Sequence, residues 1–252
     1  MTFWVRLEAT RDRWKIADHP FYQRFIAGEC TSEDLVLFAG QGAAPIRALA
    51  AAAEKVKRRA GSARRAKGDA LVLEYRAQEA QWKQFERTVG ISGTCSLLPE
   101  SRECVATFSD DASRGPAVML AVICAVERVR PTHAVAALDA LDHFYDVDRE
   151  SEGAAYFRSL ADPGRRSARL GRALLEPLLE TADQDGLLAH AEAALSSYWE
   201  MYDAMEREVS GAKPRPGRFD LDRSRDLATW LHQAGSRSRS GAPRRSLQRV
   251  RF

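Results

Sequence analysis

Glu127 lies near the end of the stretch GPAVMLAVICAVERV, where almost every other residue is apolar. A carboxylate carried into such a core needs a partner. Two roles fit it: a pocket acid or base with a raised pKa, or one half of a salt bridge to Arg128 or Arg130. Glu74, in DALVLEYRAQEAQWKQFERTVG, poses the same choice, with Arg76 as the ordinary ion-pair partner. These two glutamates are the candidate catalytic residues. Gln78 follows Glu74 by four residues and shares its helix face. Cys124 sits on the apolar helix with no base beside it. Such a thiol keeps a high pKa and little nucleophilicity, and reads as a small buried hydrophobe. The five histidines (His19, His133, His143, His190 and His232) form no spaced pair. In HFYDVD, Asp142, His143 and Asp146 could approach a metal. Adjacent residues on a helix diverge by about a quarter turn, so a solvated helix end is the plainer reading. No metal centre and no resident cofactor is expected.

The elements that position these residues are helical. Val/Ile/Thr alternation bounded by turn pairs is absent over any useful length. TSEDLVLFAG begins a helix with Thr31 or Ser32 as cap and with Glu33 and Asp34 in the first turn, where carboxylates suit the dipole. IRALAAAAEKVKRRA continues with strong helix formers. Leu71, Glu74, Gln78, Gln81, Trp82, Phe85 and Val89 recur at helical intervals, and Gly90 closes that helix. GPAVMLAVICAVERV reads as a central buried helix. Pro45 falls inside a helical pattern, within GQGAAP, and implies a kinked or widened helix that enlarges a pocket or reflects decay. In AAYFRSLADPGRRSARLG, Tyr156, Phe157 and Leu160 share a face before Asp162-Pro163-Gly164 cuts across it. A helix ends at or before Asp162, and a new one can start there with Asp162 as cap. In all, about seven or eight helices precede Gly211.

Composition divides the chain. Residues 1–210 carry 27 Lys and Arg against 32 Asp and Glu, whereas residues 211–252 carry eleven against three. The second segment is rich in Gly, Pro, Ser and Arg, and reads as a flexible basic tail. It could touch phosphates of nucleic acid or another anionic surface, or pair with the acidic body. The expected domains are therefore a helical unit over 1–209 and a tail over 210–252. The four cysteines stand far apart with no CxxC pair, which argues for reduced thiols and a cytoplasmic protein. No signal segment and no apolar run near twenty residues stands out, so no membrane span is expected.

HPFYQRFIAGECTSEDLVLFAGQ at 19–41 resembles the opening of the thiaminase-2/pyrroloquinoline-quinone-synthase (TenA/PqqC-like) superfamily, with its aromatic-containing second helix. EYRAQEAQWKQFERTVGIS, CAVERVRP and GAAYFRSLADPGRRSA resemble its later segments in the same order, so the likeness spans roughly residues 3–207. The resemblance implies an all-α, haem-oxygenase-like bundle and a homodimer. One branch of the superfamily holds two irons through Glu and His four apart on one helix, a Glu on a second, and His, Asp and His at i, i+4 and i+7 on a third. These positions fall on Glu74, Gln78, Glu127, Leu160, Gly164 and Ser167, so only the two glutamates remain. The vitamin-salvage branch uses a Cys nucleophile, which falls on Cys124. Its carboxylate partners fall on Gly42 and near Leu195 or Ser196. The cofactor-free quinone-synthase branch uses several His, Tyr and Arg residues that find no counterpart cluster.

The function these residues imply is small-molecule binding in cofactor or secondary metabolism without a di-iron centre. Glu74, Gln78, Glu127, Cys124, Tyr156, Leu160 and Phe38 would line the site. If catalytic, it would be oxidoreductase-like or cofactor-free. The alternatives are an iron-dependent oxidoreductase with a non-standard ligand set, and a non-catalytic scaffold or regulatory partner of an intact paralogue.

Overall fold

The computed structural model describes residues 1–109, 115–129, 131–162 and 166–211. Ten α-helices occupy them: α1 (Phe3–Arg13), α2 (Pro20–Ile26), α3 (Ser32–Arg59), α4 (Arg65–Thr88), α5 (Pro99–Ser109), α6 (Pro116–Val129), α7 (Pro131–Phe144), α8 (Ala155–Ala161), α9 (Arg166–Leu175) and α10 (Gln184–Ser210). The described residues contain no strand. The number exceeds the seven or eight read from periodicity because short pieces such as α2 and α8 are counted separately. Seven-residue helices show too few turns for a 3.6-residue period to register. The basic segment from residue 212 onward, Pro163, Gly164 and the side chains of Arg128 and Arg130 lie outside the described residues.

Local chemistry sets the helix ends. Thr31, rather than Ser32, caps α3: its Oγ1 accepts from the Asp34 N–H at 3.2 Å. Asp34 Oδ2 in turn accepts from the Thr31 N–H at 2.8 Å, a reciprocal capping box. Asp183 caps α10 by accepting from the Gly186 N–H at 3.1 Å. Asp162 is extended (φ −65°, ψ 114°), so α8 stops at Ala161, as the following proline requires.

α3 is the axis of the bundle. It packs against α4, α5 and α6, and α10 crosses α5 and α6. An 18-residue window of α3 has a mean hydropathy of 1.4, so this helix is long and apolar enough to cross a membrane. This run is longer than the sequence pattern suggests, because small Ala and Gly residues carry much of it. The bundle buries 89% of that window, which is how a core helix of a globular domain also looks.

Pro45 lies inside α3 without ending it. The notch that Gly42 leaves near it is filled. A Cβ placed on Gly42 would lie 2.4 Å from Trp82 Cζ2, so the indole occupies the space that the missing side chain leaves. Trp82 Nε1 donates to the Ala39 carbonyl at 2.9 Å. Gln41, fully buried, uses its amide to hold the loop before α5: Nε2 donates to Ser96 O at 3.1 Å, and Oε1 accepts from the Leu98 N–H at 2.9 Å.

Gly42→Ala is expected to cost about 1–3 kcal/mol of stability through overpacking. Gly93→Ala, where nothing lies within 4 Å of the added carbon, should change stability by less than about 0.5 kcal/mol. Urea unfolding of the two variants checks the contrast.

Candidate functional site

One fully buried carboxylate lies where α4, α6 and α9 meet. Glu127 of α6 is 0% exposed. Tyr75 of α4 donates its hydroxyl to Glu127 Oε1 at 2.8 Å. Ser167 of α9 donates to Oε2 at 2.8 Å. Hydroxyl donors on both oxygens offset part of the cost of burying this carboxyl group. The ion-pair partners weighed for Glu127, Arg128 and Arg130, have side chains outside the described residues.

Glu74 is not brought to this cluster. It is half-buried and has no hydrogen-bond or ion-pair partner among the described residues, while Arg76 pairs with Glu54. The α4 residue that reaches Glu127 is its neighbour Tyr75. The stripe Leu71, Tyr75, Gln78, Trp82, Phe85 is the buried face of α4. Its i, i+4, i+7 spacing was the signal that could have singled out Tyr75.

Gln78 stands on that stripe one turn beyond Tyr75. It is 4% exposed, and its Oε1 is buried without a hydrogen-bond partner. Such a group forfeits its hydration with nothing in return. One turn further, Trp82 meets the Tyr156 ring edge-on, with centroids 4.7 Å apart. Leu160 follows Tyr156 by one turn on α8 and is buried. Cys124 is buried where α6 and α9 cross: a Cβ on Gly171 would lie 3.2 Å from its sulfur. Phe38 sits deep in an aromatic cluster with Phe21, Phe25, Trp82, Phe85 and Tyr202. The vitamin-salvage pattern gains no support at Gly42, which faces an indole.

These donors do not fit two irons. Glu127 already accepts hydroxyl protons on both oxygens, Gln78 offers only an amide, and Leu160 offers nothing. Among the described residues no group of three or more His, Cys, Asp or Glu side chains could hold a metal ion.

A second polar pair, buried His19 with half-exposed Asp203, lies between α2 and α10. His19 Nδ1 accepts from the Phe21 N–H at 3.1 Å and so caps α2, with Pro20 in the first turn. Its proton is therefore on Nε2, 3.0 Å from Asp203 Oδ1. Burial lowers the imidazole pKa below 6.5, and this outweighs the opposing pull of Asp203 and Glu206. The cysteines are free. Burial pushes Cys30 up to about 12 and Cys95 up to about 11.

The chain has a haem-oxygenase-like fold. It is similar to a solved domain of unknown function with that fold from Shewanella denitrificans, at 17% identity and a TM-score of 0.60. The match covers 84% of this chain and 96% of that one. No protein-family model and no curated protein matches the sequence.

Tyr75→Phe and Ser167→Ala each remove one hydroxyl from a buried carboxylate, and each is expected to cost about 1.5–3 kcal/mol in denaturant unfolding. The His19 contribution depends on pH. Its folded pKa lies below the unfolded one, so its stabilisation is complete above about pH 6.5. It is lost as pH falls through the folded value, because the unfolded chain takes up the proton first. His19→Asn keeps a capping oxygen but cannot titrate. Its Tm should fall less steeply than the parent's between pH 7.5 and 5; parallel curves would refute the linkage.

Proposed function

We propose that this is a small-molecule-binding protein of the TenA/PqqC-like kind, acting in cofactor or secondary metabolism without a di-iron centre. The observation that carries the reading is the buried, unpartnered Oε1 of Gln78 beside the Glu127 cluster. Ligand sites in helical bundles are built from side chains of facing helices in the core. A lone acceptor in an apolar wall selects a ligand that brings an N–H or O–H donor to it. Tyr156 and Leu160 are the apolar neighbours the reading assigns to that ligand, and Glu127 orients the stripe through Tyr75. Four free thiols agree with a reducing, cytoplasmic setting.

A second reading is a non-catalytic scaffold or regulatory partner. It is favoured by Glu127 itself, whose oxygens both accept hydroxyl protons and so are not poised as a base. An iron-dependent oxidoreductase would need ligands other than the residues at the expected positions.

Gln78→Leu separates these readings. Removing an orphaned buried amide should raise the stability of the ligand-free protein by about 1–3 kcal/mol. In a thermal-shift screen of fatty acids, amino acids and heterocycles, a true ligand at about 100 times its Kd should stabilise the parent by about 2.7 kcal/mol and the variant far less. A screen with no stabilising compound would favour the scaffold. Two equivalents of iron in the purified protein would overturn the metal-free reading.

A further inference from the structure

We infer that the corner joining α3 to α4 is a docking surface for the phosphate backbone of nucleic acid. Residues 55–67, KVKRRAGSARRAK, carry seven Lys and Arg and no Asp or Glu. The rest of residues 1–210 carries twelve more acids than bases. Seven positive charges in thirteen residues thus stand on a body whose remainder is net acidic.

The fold displays them. Arg58 and Arg59 end α3, residues 60–64 make the connection, and Arg65 and Lys67 lie in the first turn of α4. Arg58, Arg59, Arg65 and Lys67 are exposed, and Arg64 is half-buried. Lys57 is neutralised by Asp69 at 2.8 Å, and Lys55 donates to the Ser109 carbonyl at 3.0 Å. Arg58, Arg64, Arg65 and Lys67 have no carboxylate partner among the described residues. The corner is also held firmly. A Cβ on Gly68 would lie 3.1 Å from the Lys57 Cα, so the bare glycine lets the two backbones close together just behind these cations.

The α4 terminus is arranged against its own helix. Its first turn has no acid, and its N-cap Arg64 makes no side-chain cap. Basic residues at the positive end of the dipole repel it. An incoming anion relieves that repulsion.

The chemistry favours nucleic acid over a lipid surface. Four of the seven cations are arginines, whose planar forks match phosphate oxygens in pairs. Residues at the tip are Ala60, Gly61, Ser62 and Ala63, none large enough to anchor in an acyl layer. The exposed large apolar Leu73 lies two turns further along α4.

The test is fluorescence anisotropy of the full-length chain with labelled 30-nucleotide duplex DNA, single-stranded DNA and RNA, at 50–200 mM salt. The quadruple variant Arg58→Ala, Arg64→Ala, Arg65→Ala, Lys67→Ala should bind duplex at least tenfold more weakly at 100 mM salt. Its log K against log salt slope should be smaller by about 3–4, as expected for four phosphate contacts. Removing the same charge elsewhere, with Lys15→Ala, Lys83→Ala, Arg87→Ala, Arg166→Ala, should change the slope by less than about one. The proposal falls if the parent binds none of the three probes at 50 mM salt. It falls equally if both quadruple variants lose affinity alike, if the corner variant keeps the parental slope, or if phosphatidylserine vesicles bind more tightly than every nucleic acid.

Discussion

A carboxylate with no exposure to water must be satisfied from within, and Glu127 imposes that condition on three helices at once. α6 supplies the acid, α4 a phenol and α9 an alcohol. Each hydroxyl fixes the rotation of its helix about the α6 axis. Once Tyr75 points at Glu127, the residues one and two turns along the same stripe, Gln78 and Trp82, must also face inward. Trp82 then requires the notch at Gly42, and the notch fixes how closely α4 approaches α3. The order of dependence runs from one charged group outward through the bundle.

The fold was legible because its signals are additive. Thr31 and Asp34 cap a long apolar helix, the period of 3.6 recurs from α3 to α10, and Asp162 before a proline breaks one helix from the next. Each agrees with the others. The site was legible only in part. Glu127 stood out as a charge in an apolar run. Tyr75 did not, because a tyrosine on a buried stripe looks the same whether its hydroxyl meets a carboxylate or a carbonyl. Glu74 attracted attention by its charge, yet it is one residue, about 100°, off the buried face. Gly42 carried no sign of the indole it receives, since that contact joins residues forty apart in the chain. His19 counted only as one of five histidines that form no spaced pair, since its bond to Asp203 spans 184 residues and leaves no local trace.

Three of the ligand positions implied by the superfamily resemblance carry other chemistry in this bundle. Leu160 is part of the core. Ser167 remains polar and turns to the central glutamate. Gln78 alone is left with an unanswered acceptor. Glu127 keeps the bundle centre polar, and the Tyr75 and Ser167 hydroxyls are two of its partners.

The Ser167–Glu127–Tyr75 bridge also bears on how such a chain can evolve. A single change of Ser167 to histidine would strip Oε2 of its donor and add bulk beside a buried charge, with too few other ligands to attract a metal. A change at Gln78 alone would leave the bridge untouched and still assemble no metal-binding set. Building an iron set at these positions would require several substitutions together. The bridge acts as a latch: it tolerates change around it and stands against the stepwise assembly of a metal-binding set there.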